Sequence, residues 1–214
     1  MMKVKEFVSM CKNLANAPTV YMYGTWGQPV TQLIIDTKAK QYPEWYTKER
    51  IAMLKKHIGK SYGFDCACMV KSILWGFNFD MTHPNGGAVY CSNGVKDTNA
   101  NGYYALCTNK SADFSDVPVG ALLHMDGHVG VYVGNGKCIE CAPSHLNKVQ
   151  YSTVMNITGN VKTNDFLRKW EHWGLLPYVD YSDNTPQKDT TEDAKFLLNN
   201  IYNILSDAKK RNLF

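Results

Sequence analysis

An α+β fold is the architecture this 214-residue sequence predicts. The first third of the chain carries apolar residues at helical spacing. A largely apolar helix follows from Asp65 to Gly76. The second half then strings short β-type runs between tight turns rich in Gly and Asn. Helices first and a run of antiparallel strands afterwards is the order of an α+β domain.

Residues 3–15 place Val4, Phe7, Val8, Cys11 and Leu14 on one face, which predicts a helix. "APTVYMYGTWGQPVT" is rich in Gly, Pro and aromatics and reads as a loop. Thr31 is placed to cap a short helix through Ala39. Pro43 suits the first turn of another helix, ending near Gly59. Asp65 is placed as an N-cap, Val70, Ile73, Leu74 and Phe77 give i, i+3, i+4, i+7, and Gly76 marks the stop. From Asn78 to Pro118 the chain is dense in Gly, Asn, Asp, Ser and Thr and reads as a long irregular insertion with Tyr90, Tyr103 and Tyr104. "VGALLHMDGHVGVYVGNGKCIECAP" holds three β-type runs separated by Asp126-Gly127 and Gly134-Asn135-Gly136. "VQYSTVMNIT" continues the β character, and "WEHWGLLPYVDY" reads as a final strand. A main domain over 1–181, a polar linker over 182–190 and a C-terminal amphipathic helix over 191–214 complete the plan. In that helix Leu197, Ile201, Ile204, Leu205 and Ala208 form one stripe, which makes self-association through it an expectation.

Composition removes several function classes. With 44% hydrophobic and 20% charged residues the chain can build a core. The net charge of +4 is mild, and no basic run or zinc-finger spacing suggests a nucleic-acid partner. The N-terminus is not read as a signal peptide, because Lys12 and Asn13 interrupt its apolar run. No stretch approaches the ~20 apolar residues of a membrane helix. The expectation is synthesis in the cytoplasm with no stable membrane insertion. Seven cysteines, an odd number without a secretion signal, argue against a disulfide framework.

The chemistry centres on "YGFDCACMVKSILWG". A thiol becomes a nucleophile when it is ionised and paired with a base. Cys66 falls in the first turn of the helix, where free N–H groups and the dipole favour a thiolate. Cys68 points about 200° away around the helix and faces the interior. His128 opens the strand "HVGVYV" and is the candidate base. Glu140, on the next strand, is the candidate to orient its imidazole.

That pairing depends on register. A two-residue Asn135-Gly136 turn sets Val131 opposite Glu140 and puts His128 and Glu140 on opposite faces. A three-residue loop sets Gly130 opposite Glu140 and makes them diagonal neighbours, ~7 Å apart. The catalytic reading therefore predicts the bulged, three-residue loop.

At these residues the sequence resembles a family. "DCACMV" looks like the Asp-Cys-Ser-Gly-Leu-Val motif of the NlpC-type peptidoglycan peptidases, which have a papain-like fold. "HVGVYVGNGKCIECAP" is similar to their His-Val-Gly-Ile-Tyr hairpin segment, "PTVYMYGTWG" to the loop before their cysteine, and "VPVGALL" to their Pro-Gly-Asp-Leu step. The likeness runs from Pro18 to Tyr181, and the missing signal peptide resembles phage or prophage endolysins. It implies cleavage within the bacterial peptidoglycan stem peptide, commonly at the γ-D-glutamyl link to the diamino acid, through a thioester acyl-enzyme. Cys66 then attacks the carbonyl, His128 moves the proton, Glu140 takes the third position, and Tyr21 falls on a tyrosine lining the site. No metal or organic cofactor is implied. The resemblance also implies action on the wall after release, by way of a holin. The chain departs from the pattern at Ala67-Cys68, at Ala121, and at Glu140, where the family has a neutral orienter.

Other readings compete. An amidase cutting the muramoyl–alanine bond, or an acyl or amide transferase, fits the same fold. A non-catalytic wall- or partner-binding module is a further alternative. A zinc site from Cys66, Cys68, Cys138 and Cys141 is the chemical rival, but Cys-x-Cys in a helix turns its thiols apart. Cys68, Cys138 and Cys141 are expected to pack. His124 is expected on the rim, while His57, His83, His145 and His172 are read as structural. Tyr21 reads either as core filler or as a site residue. Trp26 and Trp75 either line a cleft or pack, with packing the simpler reading. Asp65 is a cap rather than an acid.

Overall fold

The computed structural model describes residues 1–183. The C-terminal helix expected over 191–214, and the linker beyond Asp183, lie outside the described residues.

After a two-residue strand β1 (Met2–Lys3), helix α1 (Val4–Asn16) buries Val4, Phe7, Val8, Cys11 and Leu14, the face its spacing predicts. The next segment is not the loop expected. It forms β2 (Thr19–Tyr21) and β3 (Trp26–Pro29). All three residues of β2 are buried, so no two-residue alternation marks it in the sequence. Thr31 caps α2 (Gln32–Gln41), its hydroxyl accepting from the Ile34 N–H at 3.1 Å. The following helix starts later than expected: α3 is Lys48–Lys55, capped by Thr47 and not opened by Pro43. Residues 43–46 are instead a turn that buries Tyr46, whose hydroxyl donates to the Tyr23 carbonyl at 2.8 Å. Strand β4 (Tyr62–Phe64) lies between β2 and β3 in a small sheet, parallel to the first and antiparallel to the second.

Helix α4 (Cys66–Leu74) is buried along its whole length. Asp65 caps it as expected, Oδ1 accepting from the Cys68 N–H at 2.7 Å. The 78–118 segment is less irregular than its composition suggests. It contains α5 (Ala100–Leu106), capped by Asn99, and an edge strand β5 (Thr108–Ser111). The cap lies in "TNANGYY", where Asn and Gly read as loop before their capping role is visible.

The main sheet also takes in β6 (Leu122–Met125), β7 (His128–Gly134), β8 (Lys137–Ala142) and β9 (Lys148–Val154), the expected antiparallel meander. A short helix α6 (Met155–Thr158) ends the β9 run earlier than "VQYSTVMNIT" suggests. An unanticipated strand β10 (Phe166–Arg168) then pairs parallel to β9. The single final strand expected is two: β11 (His172–Leu175) and β12 (Val179–Asp180). β11 inserts between β6 and β5, giving the order β10-β9-β8-β7-β6-β11-β5, while β12 pairs with β1. Helices α1 and α4 pack on this sheet around Phe7, Leu14, Phe64, Met69, Ile73 and Ile139. Among the described residues, no helix is long and apolar enough to cross a membrane.

Candidate active site

The β7–β8 hairpin corrects the expected turn and keeps its consequence. Gly134 faces Lys137, so the turn holds two residues, Asn135 and Gly136, both at positive φ of 52° and 66°. That is the turn expected to separate His128 from Glu140. A bulge between Tyr132 and Gly134 shifts the register by one, and Gly130 faces Glu140 after all. Gly134, at φ 91°, takes the left-handed conformation that lets the extra residue be absorbed inside the strand rather than in the loop.

His128 and Glu140 therefore share a face. His128 Nε2 lies 2.5 Å from Glu140 Oε2. The imidazole stacks on Trp170, with centroids 5.5 Å apart and planes 8° from parallel. Glu140 is fully buried. Arg168 completes its shell, Nη2 lying 2.8 Å from Oε2 and Nε donating to Oε1 at 3.2 Å. Burial alone would raise the Glu140 carboxyl, but His128 and Arg168 overcome it and hold the group below the usual range.

Cys66 opens α4 and is 9% exposed. Its Sγ lies 3.9 Å from the Gly127 carbonyl, and the Val129 N–H also faces the sulfur. Backbone on both sides of His128 thus lies against the thiol. With Nε2 engaged by Glu140, Nδ1 is the ring nitrogen left for proton transfer. The thiol itself is not the ready thiolate expected at a helix start. Burial pushes it up to about 12, Asp65 adds to the rise, and the N–H groups of Val129, Ala67 and Cys66 offset only part. Cys68, Cys138 and Cys141 are packed inside, as expected.

Tyr21, on β2, is buried, with Arg50 5.2 Å from its ring centre. Burial pushes its phenol up, and the charge of Asp65 acts in the same direction. The second Asp65 oxygen accepts from the Gly24 N–H at 2.9 Å, tying the loop after Tyr21 to the helix start.

His124 is not on the rim. It is buried, stacked on Tyr104 at 4.3 Å, with Nε2 3.0 Å from Asn101 Oδ1. Asn101 Oδ1 also accepts from the Gly127 N–H at 2.9 Å, and its Nδ2 donates to Asp126 at 2.8 Å. The 78–118 segment thereby clamps the turn that carries Gly127 against Cys66. His57 contacts Ser61 Oγ at 3.0 Å, and Trp75 packs in the core against Trp26. Arg168, Trp170 and Asn101 are the site residues the sequence did not reveal. Arg168 sits on a three-residue strand 28 positions from Glu140, and no spacing rule links them. Among the described residues, no three His, Cys, Asp or Glu side chains gather into a group that could hold a metal.

No family model and no curated protein matches the sequence. Two solved structures from Mycobacterium tuberculosis are similar. RipD, described as a non-catalytic NlpC/p60 domain protein adapted to peptidoglycan binding, is 15% identical, with 80% of this chain and 95% of RipD covered at a TM-score of 0.39. RipB, described as a peptidoglycan hydrolase, is 13% identical, with 80% of this chain and 63% of RipB covered at a TM-score of 0.37. At these scores neither likeness bears on the chemistry, which rests on the site's own geometry.

Proposed function

We propose that this chain is an NlpC-type cysteine peptidase that cuts an amide bond in the peptidoglycan stem peptide, with the γ-D-glutamyl link to the diamino acid as its target. The carrying observation is a helix-start thiol lying against the turn that leads into His128, an imidazole whose Nε2 is held by a buried carboxylate. Cys66 Sγ attacks the carbonyl carbon while His128 Nδ1 takes the thiol proton. The Cys66 N–H holds the oxyanion. The tetrahedral adduct collapses to a thioester as the imidazolium protonates the leaving amine. Water, deprotonated by the same imidazole, then releases the acid and the free thiol. Glu140 stabilises the imidazolium formed in between. Because burial keeps the resting thiol protonated, proton transfer belongs to the attack step and not to a standing ion pair.

The raised, nearly buried Cys66 thiol favours a second reading, a module that binds the wall without cutting it. One experiment separates the two. Purified cell wall is incubated with the wild type and with Cys66→Ala, and new termini are identified by mass spectrometry. The peptidase reading expects a free D-glutamate carboxyl paired with a diamino-acid amine, absent with the variant. A lactyl carboxyl with a new alanine amine would instead assign an amidase. Sedimentation of both proteins with the wall, with no new termini, would assign the binding module.

A further inference from the structure

Glu140 is a buried carboxylate with two cationic-type partners, and the reaction above uses only one of them. Arg168 takes Oε1 with Nε and shares Oε2 with Nη2, leaving Oε2 aimed at His128. The guanidinium is itself held in place: it lies 4.7 Å from the Phe166 ring centre and 5.8 Å from that of Trp170, the ring stacked on His128. The electrostatic consequence follows from sign. A lone buried carboxylate against an imidazole favours the imidazolium and so holds the proton on it. A second cation on the same carboxylate opposes that. The remaining titratable groups near the imidazole carry little charge in contact with it. Cys66 on α4 is a protonated thiol, and burial lowers His124 on β6 toward its neutral form. Asp126, in the turn, is exposed and bonded to Asn101, and Asp65 faces the N–H groups of Cys68 and Gly24.

We propose that Arg168 is a positioning residue of this site: it fixes both oxygens of Glu140 and cancels their charge, so that His128 can both accept and release a proton. This rests on the reading of Cys66 and His128 as nucleophile and base. Without Arg168 the imidazole keeps its proton to higher pH, and the base form needed for attack is scarcer at neutral pH.

The test follows the His128 imidazole by ¹⁵N NMR against pH in the wild type, Arg168→Met, Arg168→Lys and the double variant Arg168→Met/Glu140→Gln, alongside wall hydrolysis against pH. Arg168→Met is expected to move the imidazole midpoint upward by about one pH unit. The acid limb of its rate profile moves with it. Arg168→Lys, which keeps the charge, leaves the midpoint in place, and the double variant cancels the shift. A purely structural role would lower the rate without moving the limb. A midpoint in Arg168→Met that stays fixed or moves down overturns the proposal. Should Arg168→Met not fold, Arg168→Gln carries the same expectation. Should the wild type hydrolyse no wall, the peptidase reading falls, while the imidazole titration still decides the role of Arg168.

Discussion

Two influences oppose each other on the Cys66 thiol. Backbone N–H groups at the start of α4 and from Val129 favour the thiolate, and desolvation favours the thiol; desolvation wins. In a Cys91→Ser background, which removes the one exposed cysteine, iodoacetamide labelling of Cys66 is therefore expected to rise with pH toward a midpoint of about 12. A midpoint near the ordinary ~8.5 would contradict this. Glu140 shows the converse balance. Its carboxyl is held low in the folded state, so its contribution to stability is present above the unfolded value of ~4.3 and is lost as pH falls through the folded one. Glu140→Gln is expected to flatten the acid side of a melting-temperature profile. It should also lower turnover by about 10²- to 10⁴-fold, as loss of a triad's orienting carboxylate does. Unchanged turnover would remove Glu140 from the site.

At the scale of elements, the site is where β7 and β8 meet α4, and two tight contacts set that meeting. Gly130 faces Glu140, and a Cβ there would come within 2.5 Å of Cys138 Sγ and 3.0 Å of the Trp170 ring. Gly130→Ala is expected to cost about 1–3 kcal/mol by overpacking and to disturb the ring that stacks on His128. Thermal denaturation and wall hydrolysis read the two effects. Asn101 holds the β6–β7 turn through Gly127 and Asp126. Asn101→Ala should reduce kcat with KM little changed, because the turn carries Gly127 and His128, not the bound substrate. How far these elements were legible depended on length and pattern. α1 and α4 announce themselves by apolar spacing and, for α4, by an Asp65 cap. The meander is marked by its Asn-Gly and Asp-Gly turns. β2, β3, β5 and β10, each three or four residues long, are too short to show a period, and their partners lie far away in sequence. The register was legible as a requirement, since His128 and Glu140 could act together only with Gly130 opposite Glu140. It was not legible as a geometry: the chain uses a strand bulge beside Gly134 where a longer loop was expected. Arg168 went unseen for the same reason as β10.

For the described part of the molecule, cohesion comes from packing and not from cross-links. All seven cysteines are free and six are buried, spread through α1, α4, the end of α5 and the sheet. Reductant is therefore expected to leave the melting temperature unchanged, and a drop on reduction would reveal a bond this architecture does not contain. The same packing carries the function. α4 is packed against the sheet and against α1, so the thiol at its start is fixed while His128, Glu140 and Arg168 arrive on three separate strands. Covalent catalysis by that assembly is the central claim, and an acid quench tests it most directly. Wild-type protein is mixed with soluble muropeptide, quenched within the first turnovers, digested, and mapped by mass spectrometry. The account predicts a thioester on the Cys66 peptide whose added mass ends at the D-glutamyl residue, absent in Cys66→Ala. Full product formation with no adduct at Cys66, or undiminished turnover by Cys66→Ala, would contradict it.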